Sequence, residues 1–436
     1  MVPRVRPGPP GSARAARERP PGVGAVSARC AKVHQVTAGI DTRPRLRSRD
    51  AVRGYVERVC FKTGPPGLVG TELEWLVVHP DDPTVPVPLA RLRELLAAAG
   101  PLPRGSRLTF EPGGQVELSS LPYRGASACW RALHEDAEHL RRTLGAAGVE
   151  LMPTALEPVR SPHRQLAHPR YDAMERHFSR CGGASADLGP VMMTGTAATQ
   201  VNLDIGHDET DARRRWRLLH AVGPTMTASF ANSPVGADGP TGWRSGRQRV
   251  WQGLDAVRTA SPAGEDPVAA WTDYALDAPV MLRHREGGDW SAEPGWTLAD
   301  WLTESEAPTE ADLELHLSTL FPPVRPRGWY EVRYLDALPW RWWPVPMAVL
   351  SALLDDPAAG TVAEDACAGV DDWCAAARDG LAAPGVHAAA LTCFDAALLA
   401  LPRLGEDAEL VALVAAYRDH YVLPGRCPAD DTLETA

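Results

Sequence analysis

Lysine is almost absent from this sequence: Lys32 and Lys62 are the two lysines among 45 basic residues. No lysine follows Lys62, and no GxxxxGK[ST] segment occurs, so the phosphate-binding loop of P-loop proteins is excluded. The segment GxGxxG after a strand, the nucleophile segment GxSxG and the zinc segment HExxH are also missing. A nucleotide would therefore have to be held by metals, by arginines and by the sheet itself.

Long apolar runs and cysteine pairs are missing as well. No stretch approaches the roughly 20 apolar residues that span a bilayer, and arginine and proline interrupt the first thirty residues, which lack the apolar centre of a secretory signal. The eight cysteines include no CxxC pair and have no partners at zinc-site spacing, so buried free thiols are favoured over disulfides or a zinc site. We expect a cytoplasmic protein with no membrane partner.

Charge is distributed unevenly along the chain. The net charge is −10, but residues 1–49 carry +9, which leaves −19 for the remainder. The acidic remainder argues against a nucleic-acid partner. Residues 1–49 are rich in arginine, proline and glycine and contain no aromatic residue, a composition typical of a disordered tail. We expect one catalytic domain at 50–422 and a C-terminal tail at 423–436.

Polar side chains recur at every second residue in four segments. In a strand, residues i and i+2 point to the same face of the sheet. The segments are GTELEW (70–75), GGQVELSS (113–120), TQVNLD (199–204) and WYEVRYLD (329–336). The polar positions are Glu72, Glu74, Gln115, Glu117, Gln200, Asn202, Glu331 and Arg333. Because the residues between them are mostly apolar, each segment predicts a strand with one polar face and one buried face.

Helical segments separate these strands, and the half-polar pattern differs from the continuous apolar runs of parallel sheets. The sequence therefore predicts an α+β fold, with a polar concave front on an antiparallel sheet and helices behind it. The predicted strand regions are 68–78, 107–120, 191–205 and 328–336, and the second of these contains two strands around a Pro-Gly-Gly turn. Ala/Leu-rich helices are predicted from 344 to 422.

Carboxylates gathered on one sheet face repel one another and raise each other's pKa unless cations neutralise them. Glu72 and Glu74 stand in an unusually apolar strand, and the turn brings Glu111 near Gln115 and Glu117. A solvated strand face is the alternative for each pair alone. Together they indicate a site for a hard divalent cation, Mg²⁺ or Mn²⁺, and a nucleotide.

Arginines supply the positive charge. Arg244, Arg247 and Arg249 lie close together in TGWRSGRQRVWQ (241–252). Such a cluster binds substrate carboxylates bidentately or steadies phosphoryl oxygens, and a surface charge cluster is the alternative. Arg333 beside Glu331 forms either a salt bridge or a group that neutralises charge during phosphoryl transfer.

The order of several motifs resembles the plant-type glutamate–cysteine ligases. The matching segments are GTELEW, FEPGGQVELSS, TQVNLD, FANSP (230–234), SGRQRVW, DYALDAPV (273–280) and RGWYEVRYLDALP (327–339). Within that family the chain is most similar to the actinobacterial γ-glutamylcysteine synthetases of ergothioneine biosynthesis, over roughly residues 50–420. The family belongs to the glutamine synthetase-like carboxylate–amine ligases, so the resemblance implies a curved antiparallel sheet that carries the active site.

The resemblance implies a reaction and its cofactors: ATP and Mg²⁺ (or Mn²⁺) support ligation of L-cysteine to the γ-carboxylate of L-glutamate through γ-glutamyl phosphate. It assigns four carboxylates to the metal and, through it, to ATP: Glu72, Glu74, Glu111 and Glu117. It assigns three amides to support of the metals or substrates: Gln115, Gln200 and Asn202.

Arg247 matches the family arginine expected to bind the glutamate carboxylate, and Glu331 and Arg333 would lie at the phosphoryl-transfer centre. The plant pattern has an arginine where this chain has Gly195. One of the other two arginines of the 241–252 loop is expected to replace it. A ligase that uses another amine, and an inactive homologue that only binds, are the alternatives left open.

Overall fold

The computed structural model describes residues 44–435. Most of the predicted N-terminal tail, 1–49, lies outside the described residues. Its last six residues belong to the folded body, because Leu46 is buried and Arg45 forms a backbone bridge with Thr309. The catalytic domain therefore begins several residues before the predicted boundary at 50.

One antiparallel sheet forms the frame of the molecule. Its strands are β1 (Leu68–Val78), β2 (Arg107–Phe110), β3 (Val116–Ser119), β4 (Tyr123–Arg124), β5 (Glu150–Met152), β6 (Thr199–Asp204), β9 (Val324–Pro326) and β10 (Trp329–Val332). They follow the order β2-β3-β1-β6-β10-β9, and the short strands β4 and β5 pair with β1. A separate hairpin joins β7 (Val235–Gly236) and β8 (Gly239–Pro240). Every strand pair described is antiparallel, as predicted.

Helices make up most of the rest of the described chain. Before β9 they are α1 (Arg49–Tyr55), α2 (Leu89–Ala99), α3 (Ala126–Gly145), α4 (Pro169–Cys181), α5 (Gly183–Gly195), α6 (Glu209–Ala221), α7 (Gly223–Ser229), α8 (Gly246–Gln252), α9 (Ala256–Thr259), α10 (Pro267–Asp277), α11 (Leu298–Leu302) and α12 (Glu310–Leu317). After β10 they are α13 (Pro344–Asp355), α14 (Pro357–Ala366), α15 (Trp373–Asp379), α16 (Val386–Arg403), α17 (Ala408–Tyr417) and α18 (Pro428–Thr435). Two π-helical segments, Val56–Cys60 and Arg418–Val422, and one 3₁₀ turn, Gly380–Ala382, continue neighbouring helices.

The apolar face of the sheet packs against helices α3 and α13. Leu73, Val201 and Tyr330 alternate with the polar positions of their strands and are at most 2% exposed. In α13 the residues from 344 to 354 are all buried, and a helix that is apolar all round belongs in a core. The sheet therefore has one face in the core and leaves the other face free for polar chemistry.

Among the described residues, α16 is long and apolar enough to cross a membrane, with a mean hydropathy of 1.2. Half of that helix is buried inside the molecule, where it packs on α13 and α14. Its apolar residues thus contribute to the core of the C-terminal helices.

The predicted strand at 191–205 is wrong in its first half. Residues 191–195 are the end of α5, and β6 occupies Thr199–Asp204 alone. Met192 and Met193 are buried in a cluster with Phe178. A short apolar run without polar alternation does not distinguish a buried helix from a buried strand.

The structure also differs from the predicted C-terminal tail at 423–436, because α18 lies there. Cys427 and Ala429 are buried, and the Ala429 amide donates a hydrogen bond to the Ala231 carbonyl at 3.0 Å. Arg244 Nε lies 2.6 Å from Asp430 Oδ1. This segment is part of the folded body, fixed by contacts with residues nearly 200 positions earlier in the chain.

Candidate active site

Strand register brings most of the predicted polar positions onto one face of the sheet. Residues directly opposite each other in an antiparallel pair have side chains on the same face. The opposed pairs are Glu74–Glu117, Glu72–Gln200 and Glu331–Asn202. These six side chains form the polar face. The prediction drawn from the alternating pattern is confirmed in this respect.

Neutral donors hold the two carboxylates of β1. Glu74 is 9% exposed, and its Oε1 accepts a hydrogen bond from Gln200 Nε2 at 2.7 Å while its Oε2 accepts one from the Ala198 amide at 2.8 Å. Glu72 Oε1 accepts a hydrogen bond from Asn202 Nδ2 at 2.9 Å. These bonds fix the direction of both carboxylates without cancelling their charge.

The side-chain amides of Gln200 and Asn202 link the carboxylates of β1 to Arg333 and Trp329. Gln200 Oε1 accepts a hydrogen bond from Arg333 Nη1 at 2.9 Å, and Asn202 Oδ1 accepts one from Trp329 Nε1 at 3.1 Å. Because an amide has one oxygen and one NH₂ group, these partners settle which end faces the carboxylate. Gln200 and Asn202 thus position Glu72 and Glu74.

Glu117 accepts hydrogen bonds at its Oε1 from Thr109 Oγ1 at 2.8 Å and from Ser119 Oγ at 2.9 Å. The Glu111 backbone amide donates to the Gln115 carbonyl at 2.9 Å, and Glu117 is close enough to act electrostatically on Glu111. Gln115 instead turns back on its own loop: Gly113 N donates to its Oε1 at 2.9 Å, and its Nε2 donates to the Thr196 carbonyl at 3.0 Å. Gln115 therefore fixes the turn that carries Glu111.

Burial and mutual repulsion raise the pKa of these carboxyl groups. Burial raises the pKa of Glu72 to about 8, and the charges of Glu117 and Glu331 add to the shift. Burial also raises the pKa of Glu74 and of Glu111, with Glu117 as the next cause in both. A neighbouring positive charge would favour the ionised form of each of these groups. The face is therefore short of positive charge.

Hard divalent cations fit this donor set, because it consists of carboxylate oxygens that need a cation. Within residues 44–435, the one trio of ligand-type side chains whose atoms all lie within 4.8 Å is His177, Cys181 and Asp255, where Arg258 already donates to Asp255. Among the described residues, no trio of polar-face glutamates meets that distance. Mg²⁺ keeps several water or phosphate ligands, so it does not need such a closed set of protein ligands.

Glu331 has a different environment, because three arginines surround it. Its carboxylate accepts hydrogen bonds from Arg325 Nε at 2.6 Å and from Arg327 Nη1 and Arg333 Nη1, each at 3.0 Å. Burial alone would raise the pKa of Glu331, but the arginines, Arg325 first, hold it below its ordinary value. Sequence reasoning missed Arg325 and Arg327. The hairpin register, which places Arg325 opposite Glu331, is the signal that would have found Arg325.

Arg247 is 2% exposed and carries guanidinium hydrogens with no bonding partner. Its Nη2 donates to the Arg333 carbonyl at 2.9 Å, whereas its Nε and Nη1 have no hydrogen-bond partner within the described part of the chain. Asp336 Oδ1 lies 3.9 Å from Nη1, beyond hydrogen-bond distance. Buried donors without partners are costly, so a ligand carboxylate is the fitting acceptor.

Helix α8 separates two cavities. Arg247, Trp251 and Arg333 line a cavity of about 240 Å³, and both guanidinium groups lie over the Trp251 ring, at 5.8 and 5.7 Å from its centre. On the other side of α8, Arg249 and Gly195 line a cavity of about 790 Å³. The smaller cavity combines two arginines with an aromatic wall, the features of an amino-acid carboxylate site.

The structure does not bring Arg244 to either cavity. This arginine pairs with Asp430 of α18 and lines neither space. Its charge is compensated by a residue far along the chain, so the geometry gives no support to the expectation that Arg244 binds substrate. Arg249 is exposed and lies on the same cavity as Gly195, where the plant pattern has its arginine.

Comparisons with known proteins address the family of this chain. The sequence profile of glutamate-cysteine ligase family 2 (GCS2) matches residues 68–436. The glutamate–cysteine ligase EgtA of Mycolicibacterium smegmatis is 41% identical over 392 residues, which cover 88% of this chain and 90% of that protein. A chloroplastic glutamate–cysteine ligase of Brassica juncea is 32% identical over 246 residues, 54% of this chain and 47% of that protein.

Among solved structures, a glutamate–cysteine ligase from Francisella tularensis in complex with AMP is similar, with a TM-score of 0.52. The match covers 86% of this chain and 85% of that chain at 13% identity. At this identity the likeness concerns the fold, and it confirms the predicted fold class.

The raised pKa values predict how stability depends on pH and Mg²⁺. Between the ordinary glutamate pKa, about 4.5, and the value of about 8 for Glu72, the folded metal-free protein holds protons that the unfolded chain has lost. The contribution of Glu72 to the free energy of unfolding therefore falls as pH rises through this window. We expect the gain in melting temperature on adding Mg²⁺ to be larger at pH 8 than at pH 6.

Differential scanning calorimetry with EDTA or Mg²⁺ at both pH values measures this gain. Glu72→Gln is the matched variant, because it removes the titrating group and should reduce the pH dependence of the gain. Equal Mg²⁺ stabilisation at both pH values in the wild-type protein would contradict the metal assignment.

Proposed function

The chain belongs to glutamate–cysteine ligase family 2, and we propose that it joins L-cysteine to the γ-carboxylate of L-glutamate, consuming ATP and forming γ-glutamylcysteine, ADP and phosphate. The observation that carries the proposal is the buried Arg247 with unpaired guanidinium hydrogens beside a face of glutamates that lack positive charge. An amino-acid carboxylate and metal-bound phosphates are complementary to these two features. The product would serve synthesis of ergothioneine or another low-molecular-weight thiol in the cytoplasm.

Glutamate binding is assigned to the smaller cavity. The unpaired Nε and Nη1 of Arg247 lie on different edges of the guanidinium, so each offers a hydrogen bond that an acidic ligand can accept. The Trp251 ring below both arginines keeps their planes in place through cation–π contacts. Glutamate held there lies next to Arg333, which is hydrogen-bonded to Gln200 and Glu331 of the polar face.

In the first step the γ-carboxylate of glutamate attacks the γ-phosphorus of ATP, giving γ-glutamyl phosphate and ADP. Arg333 bonds to both Gln200 and Glu331, so its guanidinium is fixed before the reaction and can stabilise charge on the transferred group. In the second step the cysteine amine attacks the acyl carbon, and phosphate leaves. No covalent enzyme intermediate is needed, in keeping with the absence of a nucleophile motif.

Four glutamates are proposed to hold Mg²⁺ or Mn²⁺: Glu72, Glu74, Glu111 and Glu117. When bound, the cation neutralises negative charge that phosphate and carboxylate share. The residues of the chain orient this set, because Gln200 and Asn202 hold the β1 carboxylates and Thr109 holds Glu117.

A different amine substrate is the second candidate, and one observation favours it. The larger cavity, about 790 Å³, lies within the range of pockets that hold drug-sized ligands and far exceeds the volume of cysteine. If the acceptor amine enters there, the cavity accommodates larger amines than cysteine. Product analysis by mass with a panel of amines separates the two candidates.

ADP release by the purified full chain tests the function directly. We expect release with Mg²⁺, ATP, L-glutamate and L-cysteine together, a marked loss when any one is omitted, and a product with the mass of γ-glutamylcysteine. Release that needs glutamate but a different amine changes the substrate alone. No release under any combination, from protein shown to be folded by circular dichroism, would favour an inactive binding homologue.

Removing one metal-ligand charge is expected to abolish turnover. Glu117→Gln and Glu74→Gln should each lower kcat by more than about 100-fold, beyond the loss typical of groups that only support a ligand. Circular dichroism should remain that of the wild type. Glu409→Gln, at an exposed position of α17, is the control and should leave kcat unchanged. Near-normal turnover in Glu117→Gln would defeat the metal assignment.

Arg247→Ala is expected to raise the KM for glutamate by about 10- to 100-fold, because hydrogen bonds to a charged group are lost. The KM for ATP should change much less. Arg244→Ala is the matched control from the same loop, since this arginine pairs with Asp430 outside both cavities. Steady-state kinetics measure both constants, and equal increases for glutamate and ATP would indicate a phosphate-binding role instead.

A further inference from the structure

Asp336 is a buried carboxylate that sequence reasoning did not single out. It is 2% exposed and follows β10 by four residues. Its Oδ2 accepts hydrogen bonds from the backbone N–H of Asn232 at 2.8 Å and from Ser233 Oγ at 2.7 Å. Its Oδ1 accepts one from Ser245 Oγ at 2.9 Å. Burial raises the pKa of Asp336, whereas Arg247 and these three donors favour its ionised form.

Ser233 and Ser245 connect Asp336 to helix α8 through hydrogen bonds. Because Asp336 accepts their hydroxyl protons, the lone pairs of both serines are free to accept bonds from the first turn of α8. Ser233 Oγ accepts from the Arg247 amide at 3.0 Å, and Ser245 Oγ caps the helix by accepting from the Gln248 amide at 3.1 Å. One carboxylate thus fixes the backbone on both sides of the Arg247 side chain.

The same residue is tied to the polar face. The backbone of Asp336 forms a bridge with Ala198, and the Ala198 amide donates to Glu74 Oε2 at 2.8 Å. The Asp336 carboxylate also lies 3.9 Å from Arg247 Nη1, close enough to attract the guanidinium but too far to occupy its hydrogens. A carboxylate at this distance orients Arg247 and still leaves its donors free for a ligand.

We infer that Asp336 is a positioning residue for glutamate binding, which acts through Ser233 and Ser245 to hold Arg247 and α8 in their binding arrangement. This inference rests on the proposed function. Neutralising Asp336 should replace an acceptor with an amide whose NH₂ group faces a hydroxyl or a backbone N–H. One serine would then rotate away from α8, and the guanidinium would lose the charge that orients it.

The test is Asp336→Asn in the full chain, with steady-state kinetics for each substrate. We expect the KM for glutamate to rise about tenfold, the size typical of losing a group that orients a binding residue, and the KM for ATP to change less than about twofold. Ser233→Ala removes one of the two hydrogen-bond links between Asp336 and α8, so it should raise the KM for glutamate by less. In the Arg247→Ala background, Asp336→Asn should add little, because both changes act on the same interaction.

Asp211→Asn is the matched control for a general loss of stability. Asp211 is also buried and bonded to two arginines, Arg214 and Arg215, but lies in α6 away from both cavities. It should lower the melting temperature without changing the KM for glutamate. Equal rises in KM for glutamate and ATP in Asp336→Asn, or additive effects in the double variant, would overturn the inference.

The serine variant keeps the inference testable if Asp336→Asn does not fold, since an unchanged KM for glutamate in folded Ser233→Ala also overturns it. Wild-type protein that forms no γ-glutamylcysteine would defeat the proposed function and the inference together. Active wild-type protein with an unaffected Asp336→Asn variant would defeat the inference alone.

Discussion

Unequal compensation of negative charge on one sheet face is the constraint on which the site depends. Glu331 forms ion pairs with three arginines, which neutralise its charge and keep its carboxylate ionised within the fold. Glu72 and Glu74, both on β1 and two strands away from Glu331, receive hydrogen bonds from amides and a backbone N–H. Neutral donors direct a carboxylate without cancelling its charge, so this part of the face needs a cation from outside. The same face thus carries Glu331, whose partners are arginines, and Glu72 and Glu74, whose hydrogen-bond partners are neutral.

The period of the sequence explains why much of this face could be predicted. A half-buried strand repeats every two residues, so polar positions in four segments were enough to place Glu72, Glu117, Gln200 and Glu331 together. Arg325 was missed because its strand, β9, is three residues long and contains proline, which hides the alternation, and Arg327 lies just beyond that strand. The hydrogen bonds around Asp336 could not be predicted for another reason. They join segments that only folding brings together, and these segments share no repeating sequence pattern.

The same spacing has the opposite result in α8. Arg247 and Arg249 are two residues apart, which in a strand would place them on one face. In a helix two residues subtend about 200°, so these arginines face different cavities. The sequence identified the cluster correctly as cationic, but whether its members act together depends on the local secondary structure. Arg244 illustrates a further limit, because its partner Asp430 belongs to a helix that the sequence pattern did not reveal.

Antiparallel pairing joins strands that are remote in the chain: β1 lies between β3 and β6, and β6 lies between β1 and β10. The polar face therefore requires a chain that extends through β10, since its last members are supplied after nearly three quarters of the described chain. Long-range pairing of this kind delays the final contacts in folding. During synthesis, the nascent chain cannot assemble this face until β10 has left the ribosome, so the site is completed late.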